Sequence, residues 1–437
     1  MTSVISPHTS PVAPSAAAGR ERYTDYPMAM GVLTTIFFMW GFLTCLNDIL
    51  IPHLKSIFQL GYAQVMLVQF TFFGAYFLMA LPAGRLIASV GYKKGIVAGL
   101  AIAGLGALGF WPAADLHLYP AFLGALFVLA TGITVLQVAA NPYVALLGPE
   151  RTSSSRLTLA QALNSFGTFL APWFGGLLIL SNVVKTPAEL ATLAPAQQLV
   201  YQTQQAHAVQ GPYIGLAVVL FLLAIFVWLF RLPTLTEATD KGDHDRHGFI
   251  EVLRHPHVLF GVLGIFFYVG AEVSIGSFMV NYLSMPNIGH MSEQQASHYV
   301  SFYWLGAMIG RFIGSALMAK ISPRKLLAIF AAINALLVLT TMLSAGDVAV
   351  YSIIAIGLFN SIMFPTIFAL GIEHLWPLTS KASSLLIMAI VGGAVLPYVQ
   401  GVFADQMGLQ HAFFLPLLCY LYILFYGVRG SRVRVVG

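Results

Sequence analysis

Residues 40–53 read WGFLTCLNDILIPH. This stretch closes an apolar run that begins near Met28 and places Asp48 among Leu46, Ile49, Leu50 and Ile51. A carboxylate in hydrocarbon costs roughly 2.5–3.5 kcal/mol or more unless it faces protein or a wet cavity and holds a partner or a proton. An ionisable residue inside such a run therefore marks function first. The competing interpretation is a carboxylate at the membrane surface, since Pro52, His53 and Lys55 follow within two turns.

Composition extends the argument to the whole chain. Of 437 residues, 58% are hydrophobic and 8% are charged, with a mean hydropathy of +0.82. Soluble domains carry about 25% charged residues, so the chain is an integral membrane protein, expected all-α. Its two cysteines, Cys45 and Cys419, lie in apolar segments and give neither a disulfide framework nor a metal pattern. The net charge of +5 does not point to nucleic acid, because the basic residues sit in short loops as orientation markers. Residues 1–27 are rich in Ser, Pro and Ala, lack a signal peptide's basic start and short apolar core, and are expected to form a disordered cytosolic tail.

A bilayer span needs about 20 mostly apolar residues. Twelve segments qualify, centred near Thr35, Tyr76, Gly104, Ile133, Phe169, Leu220, Val269, Ala307, Asn334, Leu358, Gly392 and Cys419. Of the 21 Lys and Arg residues, 18 fall on one face of this arrangement, two (Lys55 and Lys185) on the other, and Arg311 lies inside span 8. Positive loops stay inside, which puts both termini in the cytoplasm. Residues 183–209 form a polar insertion expected outside. Residues 232–255 join spans 6 and 7 inside, dividing the chain into six-helix bundles at 28–231 and 256–429, with a short tail at 430–437. The linker region's His244, His247, His255 and His257 match no metal-site spacing and are expected to be solvated.

The halves repeat. Gly167, Pro172 and Gly176 of span 5 recur 225 residues later as Gly392, Pro397 and Gly401. Gly74, Ala75 and Lys93 recur 232 residues later as Gly306, Ala307 and Lys325, and Pro142 recurs 223 residues later as Pro365. Two six-helix halves joined by a cytosolic linker are the sequence picture of a rocker-type transporter. A similar offset, 224, takes Asp48 to Glu272 in span 7, so two buried carboxylates occupy pseudo-equivalent places.

Few polar residues stand at membrane depth. They are Asn47 and Asp48 in span 1, Gln137 and Asn141 in span 4, Gln161 and Asn164 in span 5, Glu272 and Asn281 in span 7, Arg311 in span 8 and Asn360 in span 10. Amides offer paired donors and acceptors that suit vicinal hydroxyls. Aromatics at similar depth, among them Trp40, Phe42, Tyr268, Tyr303 and Trp304, offer a flat face to a sugar ring. Any one amide could equally serve as an interhelical hydrogen-bond bridge, but the set points to a polar cavity at the midplane. Arg311 stands nine residues, or ~13 Å, from Lys320 and is expected to act in a gate more than on substrate. No Walker loop, nucleophile elbow or HExxH helix occurs, so neither ATP-driven transport nor an enzyme is expected, and no cofactor or metal is called for.

With these residues in view, the chain resembles the major facilitator superfamily. More closely, it resembles the fucose–galactose–hexose symporter family and its bacterial glucose/galactose transporter branch. The resemblance spans residues 28–429 and rests on CLNDILIPHLK (45–55), QVAANPYV (137–144), RLTLAQALNSFGT (156–168), FYVGAEVSIGSF (267–278), GRFIGS (310–315) and GLFNSIMFPTIFALGIE (357–373). It implies that Asp48 is the helix-1 protonatable aspartate and that Gln161 and Asn164 are the helix-5 amides. One departure stands out: the fucose/proton branch has a glutamate on helix 4 and a glutamine on helix 7, where this chain has Gln137 and Glu272. One carboxylate has in effect crossed to the other half. That favours glucose and galactose over fucose and leaves H⁺ and Na⁺ both open as coupling ion.

The expectation is a monomeric, twelve-helix symporter of the bacterial inner membrane that imports a hexose with a cation, H⁺ before Na⁺. Asp48 and Glu272 would couple the ion. Asn47, Gln137, Asn141, Gln161, Asn164, Asn281, Asn360, Tyr268 and Trp304 would bind sugar, and Arg311 would gate. Rivals are the same fold carrying fucose or N-acetylglucosamine, a proton-coupled exporter of amphipathic compounds, whose cavity should be mostly apolar, and a sugar sensor, for which the linker and tails supply no signalling domain.

Overall fold

The computed structural model describes residues 27–58, 67–178, 194–233, 249–291, 293–375 and 378–433, with backbone only in stretches such as 45–57 and 172–178. Twelve long helical segments carry the chain. The first six are α1 (Pro27–Phe58), α2 (Leu67–Val90), α3 (Tyr92–Leu116), α4 (Tyr119–Leu146), α5 (Ser153–Leu178) and α6 (Pro195–Leu229). The second six are α7 (Pro256–Leu283), α8 (Glu293–Leu317), α9 (Pro323–Leu343), α10 (Gly346–Gly371), α11 (Thr379–Met407) and α12 (Leu409–Gly430). No strand occurs among the described residues. In hydrocarbon a helix is the natural solution, since it pairs its own backbone groups. Among the described residues, eleven of the twelve segments are long and apolar enough to span a bilayer; α5 begins with polar turns, Ser153, Ser154, Ser155, Arg156, Gln161 and Asn164, and reaches the edge of the described residues at Leu178.

Local chemistry sets the ends. Proline occupies the first turn of α4, α6, α7 and α9, where its missing N–H costs nothing. Gly91, at φ +84°, separates α2 from α3, and Gly408, at φ +86°, separates α11 from α12; side chains rarely adopt that conformation. The described part of the polar insertion at 183–209 is helix, because α6 begins at Pro195 and runs 35 residues. Its Gln-rich first turns are good helix formers, and the Gln197 side chain accepts from the Ala194 N–H at 3.4 Å. At 1.5 Å per residue the helix is ~52 Å long, well beyond the ~30 Å hydrocarbon layer, and its spanning part is Val209–Leu229. Of the linker at 232–255, a short helix at Phe249–Leu253 is described, while 234–248 lie outside the described residues.

The halves repeat in packing as they do in sequence. In the first, α1 lies on α5, α2 on α4, and α3 on α4 and α6. In the second, α7 lies on α11, α8 on α10, and α9 on α10 and α12, the same pairings moved by six helices. The halves meet through α5 with α8 and α2 with α11, and also through α5 with α10 and α4 with α11.

The paired prolines have a definite consequence. A helical proline leaves the carbonyl four residues earlier without its N–H. Pro142 does this to Val138, whose oxygen accepts from Ser383 Oγ of α11 at 3.0 Å. Pro365 does it to Ser361, and α10 breaks there into Gly346–Asn360 and Met363–Gly371. The Ser361 oxygen accepts from Arg311 Nε at 3.2 Å.

Helices α1 and α5 touch backbone to backbone. A Cβ on Gly167 would stand 2.1 Å from the Phe38 oxygen, and one on Gly41 would stand 2.0 Å from the Asn164 oxygen. Small residues permit this approach in membranes. Gly167→Ala is therefore expected to destabilise by about 1–3 kcal/mol, as overpacking does. Gly74→Ala, with nothing within 4 Å of its Cβ, should be neutral or stabilising. Thermal unfolding in detergent compares them; equal midpoints would contradict the packing described.

Candidate functional site

A cavity of about 460 Å³ lies between the halves, inside the 300–1,000 Å³ range of ligand sites. From the first half, α1 lends Trp40 and Thr44, α2 lends Phe72, Phe73 and Tyr76, α4 lends Gln137, and α5 lends Gln161, Asn164, Ser165, Thr168 and Phe169. From the second, α7 lends Glu272, α8 lends Ser301, Trp304, Ala307 and Arg311, and Phe364 and Ile390 come from α10 and α11. Aromatic walls and a few converging amides give the chemistry a polyol requires.

Gln137 donates through Nε2 to the Tyr76 hydroxyl at 2.6 Å, which fixes the amide so that Oε1 has no partner. A buried acceptor without a donor costs free energy and suits a ligand hydroxyl. Gln161 Nε2 stands 3.5 Å from Asn141 Oδ1, a long contact. Asn164 Nδ2 donates to the Phe37 carbonyl at 2.9 Å, so this amide also ties α5 to α1. The Tyr268 hydroxyl and Glu272 Oε1 lie 2.7 Å apart and share a hydrogen bond.

Arg311 joins the halves at the cavity floor. Besides Ser361 O, it donates through Nη1 to the Gln161 carbonyl at 3.4 Å and to Ser165 Oγ, both on α5. Below it the closure continues toward the end of the bundle where the basic loops lie. Ser155 Oγ donates to Ser315 O at 2.8 Å and Ser315 Oγ to Ser155 O at 2.9 Å. The His374 N–H donates to Glu150 Oε1 at 3.0 Å, and Arg324 pairs with Glu373. Burial pushes the Glu373 carboxyl up from its ordinary range, against the pull of Arg324.

The expected site residues divide. The cavity brings together Gln137, Gln161, Asn164, Glu272, Trp304 and Arg311. Asn141 is fully buried one turn from Gln137, between α4 and α5. Tyr268 and Asn360 are buried behind the wall: Tyr268 braces Glu272, and Asn360 is saturated by Tyr303, Tyr420 and Asn334. Asn281 is exposed and away from the cavity. It stands nine residues beyond Glu272, half a rotation off in helical phase. The side chains of Asn47 and Asp48 lie outside the described residues, although α1 runs through both positions. Sequence reasoning missed Tyr76, Ser165 and Thr168, whose roles depend on neighbours from other helices.

The two halves, the repeated helix prolines and the interfacial cavity define a membrane carrier, and comparison with known proteins agrees. Residues 30–389 match the Major Facilitator Superfamily, and the chain belongs to it. It is 50% identical to the glucose/galactose transporter of Brucella abortus over 408 residues, 93% of this chain and 95% of that one. The L-fucose-proton symporter of Escherichia coli is 36% identical over 94% of each chain. The crystal structure of FucP in the outward conformation superposes with a TM-score of 0.87 at 35% identity, covering 94% of this chain and all of that one.

Proposed function

We propose that this protein is a cation-coupled symporter that imports a hexose, glucose and galactose foremost, with H⁺ as the driving ion. The observation that supports this best is the cavity itself: amides from α4 and α5 face Trp304, Glu272 and Arg311 from the other half. The relatives named glucose/galactose transporter match over nearly their whole length, which favours these sugars over fucose. The E. coli and Haemophilus influenzae relatives named for proton symport favour H⁺ over Na⁺. Gln137, Gln161 and Asn164 hold sugar hydroxyls, Trp304 stacks on the ring, and Asn141 supports Gln161. Glu272 and Asp48 are the coupling carboxylates. Asp48 follows Trp40 and Thr44 at successive four-residue steps of α1, and both of those line the cavity. Among the described residues, the hydrogen bonds between halves gather at the basic end, which favours a carrier closed inward and open outward. By the distribution of basic loops that end is cytoplasmic, both termini with it, in the inner membrane.

Replacing Gln137, Gln161 or Asn164 by Ala tests the site. Each unpaired sugar hydroxyl costs about 1–3 kcal/mol, so affinity should fall roughly 5- to 150-fold in the folded variants. Counterflow of labelled glucose against unlabelled sugars in proteoliposomes reads it and ranks the substrates. Unchanged affinity in all three would return these amides to helix bridging.

A further inference from the structure

Glu272 is held by a hydroxyl with one hydrogen and two acceptors. The Tyr268 oxygen lies 2.7 Å from Glu272 Oε1 and 3.1 Å from the Asn360 carbonyl oxygen. A phenol donates once, and neither a carbonyl nor an ionised carboxylate donates at all. Both contacts are satisfied together only when Glu272 carries a proton: the carboxyl donates to the Tyr268 oxygen, and Tyr268 donates to Asn360. When Glu272 is ionised, Tyr268 must turn its hydrogen to the carboxylate, because the charge-assisted bond is the stronger. The Asn360 carbonyl then loses its donor.

That carbonyl belongs to the break in α10. The next one, Ser361, is orphaned by Pro365 and taken by Arg311, which also grips Gln161 and Ser165 of α5. Two adjacent carbonyls at one break are thus held by the two side chains that respond to charge on Glu272. The Asn360 side chain is itself pinned, donating to Tyr303 at 2.7 Å and accepting from Tyr420 at 2.7 Å and Asn334 at 2.8 Å. The hydrogen therefore moves more readily than the anchor. Among the described residues, the titratable or charged groups acting on Glu272 are Tyr268 of α7, Arg311 and Tyr303 of α8, and Tyr420 of α12.

We propose that Tyr268 is a positioning residue that passes the protonation state of Glu272 to the α10 break. With the proton on, Tyr268 donates to the Asn360 carbonyl beside the Ser361 carbonyl that Arg311 holds. With the proton lost, Tyr268 turns to the carboxylate, and the α10 break keeps only the Arg311 contact. This rests on Glu272 sharing the coupling proton.

The test is the pH profile of sugar-dependent proton uptake in proteoliposomes for the unmodified protein and Tyr268→Phe, with thermal unfolding as the fold control. Loss of the phenol hydrogen removes the stronger bond, the one to the ionised form. The midpoint should move about one unit or more to higher pH, a tenfold change in proton affinity. A uniform loss of rate with the midpoint unmoved would overturn the proposal and leave Tyr268 a packing residue. In Glu272→Gln the switch is already set, so adding Tyr268→Phe should change counterflow less than twofold; an additive loss would overturn the proposal too. Sugar-coupled proton uptake that persists in Glu272→Gln would instead overturn the underlying assignment of Glu272. Should Tyr268→Phe not fold, infrared spectroscopy of the unmodified protein at neutral pH should show a protonated carboxyl band that Glu272→Gln removes, and its absence would overturn the proposal.

Discussion

Replacing Asp48 by asparagine is expected to abolish accumulation of sugar against its gradient while sugar-for-sugar exchange continues. One proton crossing 100 mV releases about 2.3 kcal/mol, enough for roughly 50-fold accumulation at one proton per sugar. A carboxylate set in an apolar run can take a proton from one side and release it to the other only if it titrates. Asparagine keeps the shape of the protonated form and cannot titrate. Uptake should then stop at equal concentrations on the two sides, a loss of essentially the whole ~50-fold gradient, while counterflow measures the binding that remains. Asp48→Asn proteoliposomes that still concentrate sugar would remove Asp48 from the coupling pathway.

Arg311→Lys should have the second-largest effect, through the closed floor rather than through sugar contact. Lysine keeps the charge beside Glu272, so no buried carboxylate is left uncompensated. It cannot reproduce three donations in a planar arrangement, one to Ser361 and two to α5. A hydrogen bond from a charged donor contributes about 1.5–3 kcal/mol. Losing two of them from the outward-open form alone would shift the balance toward the inward-open form by two orders of magnitude or more. Spin-label distances between the outer ends of α1 and α7 should shorten in Arg311→Lys without sugar. Distances equal to those of the unmodified protein would show that Arg311 does not hold the gate.

The sequence made the architecture legible because both of its signals are long and redundant. Twelve apolar runs and a set of glycines and prolines displaced by a near-constant interval survive any local misreading. The lining of the candidate cavity was legible at Gln137, Gln161, Asn164, Glu272 and Trp304, since polar or aromatic residues deep in a span have few roles. Helical phase carries further information. It separates Asn281 from Glu272 by half a rotation and places Tyr268 directly below Glu272, one turn away. The contacts of Tyr76 with Gln137 and of Arg311 with Ser165 left no trace, because they join helices whose mutual rotation is set by packing. The chain's most exact device, a proline that frees a carbonyl for Arg311, shows in sequence only as Pro365.

The most direct measurement follows proton movement when sugar is added to the unmodified protein. In proteoliposomes held in sodium-free potassium buffer, glucose or galactose added outside should make the external medium more alkaline as sugar enters, and the same sugars should accumulate when an inward proton gradient is imposed. Replacing K⁺ by Na⁺ should leave both signals unchanged. Accumulation that requires Na⁺ and moves no protons would contradict the account and make Asp48 part of a sodium site.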